Sequence, residues 1–219
     1  MDLNITKYVE NYENSQNERF TRYRSWRYCY DFFQNEFKKE RIDTNLLSLN
    51  LAFFLASWGM YRGSSKLINY DYTIHNNAVK ILYRYKDSDV RELERTIALK
   101  DELIKHYKEN AGNISLDMLV SKIILGTLGT SIAYDEYAKK ALRELKDNNL
   151  QQTFSRKGIK KLLQFYQYNK DEIDSLCYKY NYPIMKILDM YLFEYGKSFN
   201  KKKINYSPQS LTSTLPRNS

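Results

Sequence analysis

Apolar residues recur with helical period along most of the chain. Over residues 17–39, Phe20, Tyr23, Tyr30, Phe33 and Phe37 form a stripe with Trp26 beside it, which predicts one long amphipathic helix with an aromatic face. The densest apolar window, LLSLNLAFFLASWGMY from Leu46, is interrupted by Ser48, Asn50 and Ser57. It falls short of the ~20 apolar residues of a spanning helix, and so predicts a buried core helix over 46–58. HNNAVKILYRY predicts a short helix. DSDVRELERTIALKDELIKHYKEN predicts a longer one, opened by the capping box Asp89-x-x-Glu92 and closed near Gly112, with Val90, Leu93, Ile97, Ile104 and Tyr107 inward.

Ser115 is expected to cap a helix bearing Leu116, Leu119, Val120, Ile123 and Ile124. Ser131 is expected to cap one over 132–146, with Tyr134, Ala138, Ala141 and Leu145 inward, and Ser155 to start RKGIKKLLQFYQY. A helix around 171–180 and another entered through Pro183 complete the series. The residues after Gly196 are polar and aperiodic, so the chain divides into a helical domain, 1–197, and a basic, flexible tail, 198–219. With no solenoid-length repeat and no strand pattern, the predicted class is all-α, a single globular multi-helix domain.

Composition supports that class, since 7 glycines and 3 prolines among 219 residues are too few for a turn-rich sandwich or barrel. The 35 Lys and Arg against 26 Asp and Glu leave a net charge of +9, which favours an anionic partner, nucleic acid and DNA foremost. Cys29 and Cys177 stand far apart, and His75 and His106 have no Cys or His at ligand spacing, so neither a metal nor a cofactor is expected. The N-terminus, MDLNITKYVE, has no apolar leader, which points to a cytoplasmic protein with reduced thiols and no membrane partner.

Three segments carry candidate chemistry. WGMYRGSSKL offers Arg62, Ser64 and Ser65 as anion donors, yet the order GxxxGSSK is not a P-loop; a helix-ending glycine followed by a serine N-cap explains it equally well. Arg156, Lys157 and Lys160 crowd the start of a helix, where charge and macrodipole together suit a phosphate, although a solvated lysine face is the plain alternative. Arg19, Arg22, Arg24 and Arg27 alternate with Tyr and Trp, a pattern fitting either a strand clamp or the solvated rim of a core stripe. ILGTLGTSI satisfies the GxxG spacing of a KH domain, but without the strands that such a domain needs. The same GTLGTSIAYDEY also reads as a simple corner between two packed helices, with Asp135 on the positive end of the second.

Helix, glycine-bearing turn, and a second helix opening on Asp135 resemble the layout of helix-hairpin-helix DNA glycosylases and their non-catalytic relatives. That resemblance implies Gly126 and Gly129 as hairpin positions holding a phosphate and Asp135 as the carboxylate facing a flipped nucleotide. The chain departs from that pattern in lacking a hairpin proline and a lysine at the usual distance before the aspartate. More broadly, LAFFLASWGMYRGSSKL, GTLGTSIAYDEY and IKKLLQFYQYN are similar to a family of uncharacterised microbial proteins with W-G-M-x-R-G-S and G-T-L-G-x-x-x-A-Y-D segments. This resemblance runs from about residue 46 to 196 and places Arg62, Ser64, Asp135 and Lys157 in its defining segments.

The expected function is binding of nucleic acid through phosphate contacts from Arg62, Ser64, Ser65, Arg156, Lys157, Lys160 and the glycine corner. Whether it is an enzyme is left open; if it is, Asp135 is the catalytic candidate, as base or electrostatic stabiliser. The alternative is a protein-interaction module without catalytic activity, in a defence or mobile-element setting. Geometry separates the two: the first requires Arg62, Asp135 and Lys157 to converge on one concave basic surface, and the second requires an exposed aromatic patch of several hundred Å².

Overall fold

The computed structural model describes residues 4–62, 66–112, 116–145 and 150–204. Ser64, Ser65, Ser115 and residues 205–219 of the predicted tail lie outside them. Among the described residues the chain forms ten α-helices, two 3-10 turns and no strand, as an all-α fold requires.

Helix α1, Ile5–Asn17, opens where the Asn4 side chain accepts from the Lys7 amide, and it buries Ile5, Val9, Tyr12 and Gln16. The single helix expected over 17–39 is broken. Phe20 adopts φ +61°, which no right-handed helix tolerates, and projects into solvent, so α2 spans only Arg24–Glu36. Trp26 consequently moves from beside the stripe to its centre, wholly buried, with Nε1 donating to the Leu125 carbonyl at 2.9 Å.

Helix α3, Thr44–Ser57, is capped by Asp43 and packs Leu47, Leu51, Phe54 and Leu55 inward. It is not buried all round, as the apolar window suggested: Leu46, Leu49 and Phe53 face solvent. It ends in a Schellman turn, with Met60 N donating to Leu55 O and Gly59 N to Ala56 O, closed by Gly59 at φ +77°.

The 3-10 turns Lys66–Asn69 and Tyr72–His75 lead to α4, Asn76–Arg84. His75 is sealed between the Tyr61 hydroxyl at 2.6 Å and the Tyr107 hydroxyl at 2.7 Å, and burial pushes its pKa down to about 3. Helix α5, Leu93–Ala111, starts later than its predicted capping box, because Asp89 spends its carboxylate on the Arg91 amide and guanidinium. Its inward residues are Thr96, Leu99, Leu103, His106, Tyr107 and Ala111, a face rotated from the predicted one.

Helix α6, Leu116–Thr127, is buried on every side from Leu119 onward. The next helix begins at Glu136, not Ile132: residues 130–134 run as a buried connection, Ser131 donates to the Ile132 carbonyl, and Asp135 is the cap. Thus α7 is Glu136–Glu144. Helix α8, Arg156–Tyr168, is capped by Ser155 as expected; α9 is Lys170–Tyr180; and α10, Ile184–Ile204, continues as a helix past the boundary drawn at 197. One layer places α10 along α7, α1 and α9; a second packs α6 against α2, α3 and α5. Residues from both layers meet around Trp26 and Trp58.

Candidate functional site

Where the layers meet, α10 carries two charges in an apolar run, Lys186 and Asp189, one helical turn apart and almost wholly buried. Lys186 Nζ lies 3.2 Å from Asp189 Oδ2 and 3.2 Å from the Tyr12 hydroxyl. It also lies 4.4 Å from the centre of the Tyr12 ring, 4.7 Å from Trp26 and 5.3 Å from Trp58, so three aromatic rings enclose the cation. Asp189 spends its other oxygen on the Ala133 amide at 2.9 Å, pinning the buried connection before α7 to α10. Burial pulls the Lys186 pKa down, and Asp189 works against that shift.

Next to this pair lies a cavity of about 40 Å³ lined by Tyr12, Arg22, Tyr23, Trp58, Lys122, Asp135 and Phe193. These residues come from six places in the chain: α1, the turn before α2, the end of α3, α6, the cap of α7 and α10. A water occupies roughly 10–15 Å³ on this measure, so the space holds a few waters or one tetrahedral oxyanion.

The Lys122 ammonium has three donors. One goes to the Trp58 carbonyl at 2.9 Å and one approaches Met60 Sδ at 3.6 Å, which leaves a third for the cavity. Burial lowers its pKa, the carboxylates of Asp135 and Asp189 oppose that, and the charges of Arg22 and Arg62 add to it. Arg62 folds back over Gly59, where a Cβ would touch its guanidinium. The two segments singled out in the sequence therefore meet here: Trp58, Met60 and Arg62 come from one, Asp135 from the other, and Lys122 joins them.

Asp135 accepts the Ala138 amide at 2.9 Å, the ordinary duty of an N-cap. Its carboxyl is nevertheless pushed up to about 6, first by burial and then by the Asp189 charge. The folded protein thus keeps a proton that the unfolded chain sheds near the ordinary value of 3.8. This group favours the fold most fully below that value, and its contribution is lost as pH rises through about 6, a swing of about 1–3 kcal/mol. Asp135→Asn keeps the cap oxygen and removes the titration. We expect urea unfolding at acid, intermediate and neutral pH to show a flatter profile for the variant, with no loss of stability at neutral pH; a variant that tracks the wild-type slope would exclude Asp135 as its source.

The other predicted site residues are distributed differently. Gly126 is buried inside α6, where a Cβ would meet the Phe54 ring at 2.4 Å. Gly129 takes φ +69° and packs against Pro183 and Tyr30. The glycine corner is an internal joint, every residue from Leu119 to Tyr134 being buried, so the exposed phosphate-gripping hairpin expected at these glycines is not what the chain builds. Arg156 pairs with Glu94, while Lys157 and Lys160 are exposed on α8; none of the three lines the cavity. Arg62 is felt only as a charge on Lys122 and does not line the cavity with Asp135, and Lys157 lies apart on α8, so the three do not form one surface.

Sequence reasoning missed Lys122, Lys186 and Asp189 and treated Arg22 only as part of an arginine-rich stretch. The signal was present: a charge inside an apolar run, as in SKIILG and IMKILDMYLF, has to find a partner when buried. Among the described residues no group of three or more His, Cys, Asp and Glu could hold a metal ion, and no helix is long and apolar enough to cross a membrane. Fold and site define an all-α protein, with ten helices among the described residues, and a small cavity lined by Arg22, Lys122 and Asp135. Comparison with family models gives no match, and neither a curated protein nor a solved structure matches the chain.

Proposed function

We propose that this protein binds nucleic acid by seating one phosphate group in the cavity between Arg22 and Lys122, beside Asp135, a different and smaller site than the Arg62–Asp135–Lys157 surface expected from the sequence, which the chain does not form. The observation that carries the reading is the convergence of two cations and a carboxylate of raised pKa on a space of about 40 Å³ walled by Tyr12, Tyr23, Trp58 and Phe193. A space of that size accepts a phosphoryl group but not a nucleobase, so the reading is phosphate binding without base flipping. Arg22 and the free N–H of Lys122 supply charge-assisted donors. Arg62 adds a third positive charge near Lys122. Asp135, when protonated, removes a repulsion and adds a donor, so affinity is expected to rise as pH falls toward about 6. Such contacts hold a strand without reading its sequence.

Fluorescence anisotropy tests this with labelled single- and double-stranded DNA and RNA, with and without a 5′-phosphate, over a salt series. Arg22→Ala removes an exposed side chain, and Lys122→Met preserves shape without charge. A lost charge-assisted hydrogen bond costs about 1.5–3 kcal/mol, so each variant is expected to bind on the order of 10- to 100-fold more weakly. Arg156→Ala should change affinity little. Absence of wild-type binding, or binding indifferent to both Arg22→Ala and Lys122→Met, would refute the proposal.

A further inference from the structure

A cavity of about 600 Å³ opens where the segment joining the two 3-10 turns, the start of α4 and the end of α5 come together. Its volume is that of a small-molecule site. It shares no described residue with the Arg22–Lys122 cavity, so nothing argued from it rests on phosphate seating there. Four of its ten described lining residues are asparagine, and a side-chain amide presents a donor and an acceptor side by side, the pairing that reads a nucleobase edge.

His106 fixes the amides. It is more than nine-tenths buried, and its Nε2 lies 2.8 Å from the Ile74 carbonyl, which can only accept. Nε2 therefore carries the proton and Nδ1 the lone pair. Asn77, at 3.4 Å, and Asn110, at 3.3 Å, both turn an amide N–H to that lone pair. Asn110 gives its other N–H to the His106 carbonyl at 2.7 Å. Among the described residues Asn110 thus keeps only its carbonyl, while Asn77 keeps a carbonyl and one N–H. Asn76 directs an N–H to Asn45 at 3.1 Å, and its own carbonyl oxygen is buried with no partner. A buried acceptor left unmet carries a cost that a ligand's donor removes.

We infer that this cavity binds a purine nucleotide whose base carries an exocyclic amine, as adenine and guanine do. The three amide carbonyls call for an edge rich in N–H, and the remaining Asn77 N–H calls for an acceptor beside it; an amino-purine edge supplies both. Hypoxanthine has the same ring system without the amine and forfeits part of that match. Tyr70 lines the same cavity, 38 % exposed, and offers the base a ring to stack on. Asp71 holds the Thr73 amide and hydroxyl with Oδ1, and Oδ2 remains for a ribose hydroxyl. Lys80, exposed on α4, is the one Lys or Arg among the described lining residues and suits the phosphate; a neutral sugar could use the amides but not this charge. The chemistry is the same for a free nucleotide and for an unpaired base in a strand.

Isothermal titration of the full chain with AMP, GMP and IMP tests it. AMP or GMP is expected to bind with a Kd between about 10 µM and about 1 mM, and IMP at least about tenfold more weakly than the better of the two. Asn77→Asp keeps the shape, suits a helix start and replaces the remaining N–H with an acceptor; Lys80→Met removes the charge. Each should weaken binding about tenfold or more, with thermal unfolding unchanged because both side chains are exposed. Lys80→Met should also bind the nucleotide no better than its nucleoside, and Arg22→Ala should bind as wild type does. Displacement of the nucleotide by a single strand of the preferred base assigns the site to nucleic acid, and its absence assigns it to the free nucleotide; either upholds the inference. No saturation by AMP or GMP at about 5 mM, IMP binding as tightly as both, saturable binding of ribose or glucose in their place, or binding lost in Arg22→Ala but kept in Asn77→Asp and Lys80→Met would overturn it.

Discussion

Asp189→Ala is expected to cost the fold about 3–5 kcal/mol, because it leaves a buried cation without its partner. Lys186 is fully buried, and among the described residues Asp189 supplies the one carboxylate within hydrogen-bonding distance of its ammonium. The same substitution strands the Ala133 amide, which Asp189 Oδ1 holds at 2.9 Å. Surrounding rings soften the loss, since Tyr12, Trp26 and Trp58 all face the cation, but they cannot replace an ion pair where water does not reach.

The loss should also depend on pH. Burial already depresses the Lys186 pKa, so the folded state is gained as pH rises toward the ordinary lysine value, and removing Asp189 depresses that pKa further. The stability deficit of Asp189→Ala is therefore expected to shrink between neutral and alkaline pH. A double variant, Lys186→Met with Asp189→Asn, keeps an acceptor for Ala133 and an unbranched apolar stem in place of the ammonium. It should recover most of the loss, as buried ion pairs replaced by shape-matched groups commonly do. Urea unfolding of the wild type, the single variant and the double variant measures both effects. A single-variant loss under about 1 kcal/mol would mean that the pair contributes as little as an exposed one.

Gly196→Ala is expected to be the second costly change. A Cβ there would lie 2.0 Å from the Tyr137 carbonyl oxygen and 2.7 Å from its carbon. The obstacle is backbone, so α10 and α7, the most extensively packed pair of helices, have to separate. Overpacking of this kind costs about 1–3 kcal/mol or more. The disturbance should reach the cavity, since Phe193 lines it and packs edge-on against Tyr137 at 5.1 Å. Truncating the Tyr137 side chain gives no relief, because the clash is with main-chain atoms. Gly196→Ala combined with Tyr137→Ala should therefore be less stable than either alone, by thermal denaturation; rescue in the double variant would disprove a backbone clash.

These residues also mark how far the sequence could be read. Helical period, a Ser155 cap, Pro183 at a helix entrance and a positive-φ glycine after α5 are local features, and each stands where the pattern placed it. The break at Phe20 was hidden, because a non-glycine residue with φ +61° leaves no mark in an aromatic stripe whose spacing remains helical across the turn. Asp135 was visible as an acid at a helix start, next to Glu136, while its cavity companions Tyr12, Lys122 and Phe193 came from α1, α6 and α10, more than ten residues away in each case. The capping role of Ser131 failed for a related reason: tertiary contacts bury residues 130–134, and the helix then starts at the first side chain able to cap it.

By itself the sequence determined the all-α class, most of the helices and a net charge of +9, because period and capping act within a few residues of one another and charge is a matter of composition. The tertiary structure alone decided which charges are buried, that Lys122 draws the WGMYRGSSKL and AYDEY segments together, and that α3 carries an apolar face on both sides. Burial is a property of neighbours distant along the chain. A lysine in an apolar run reads the same in sequence whether water or three aromatic rings surround it, and only packing distinguishes the two.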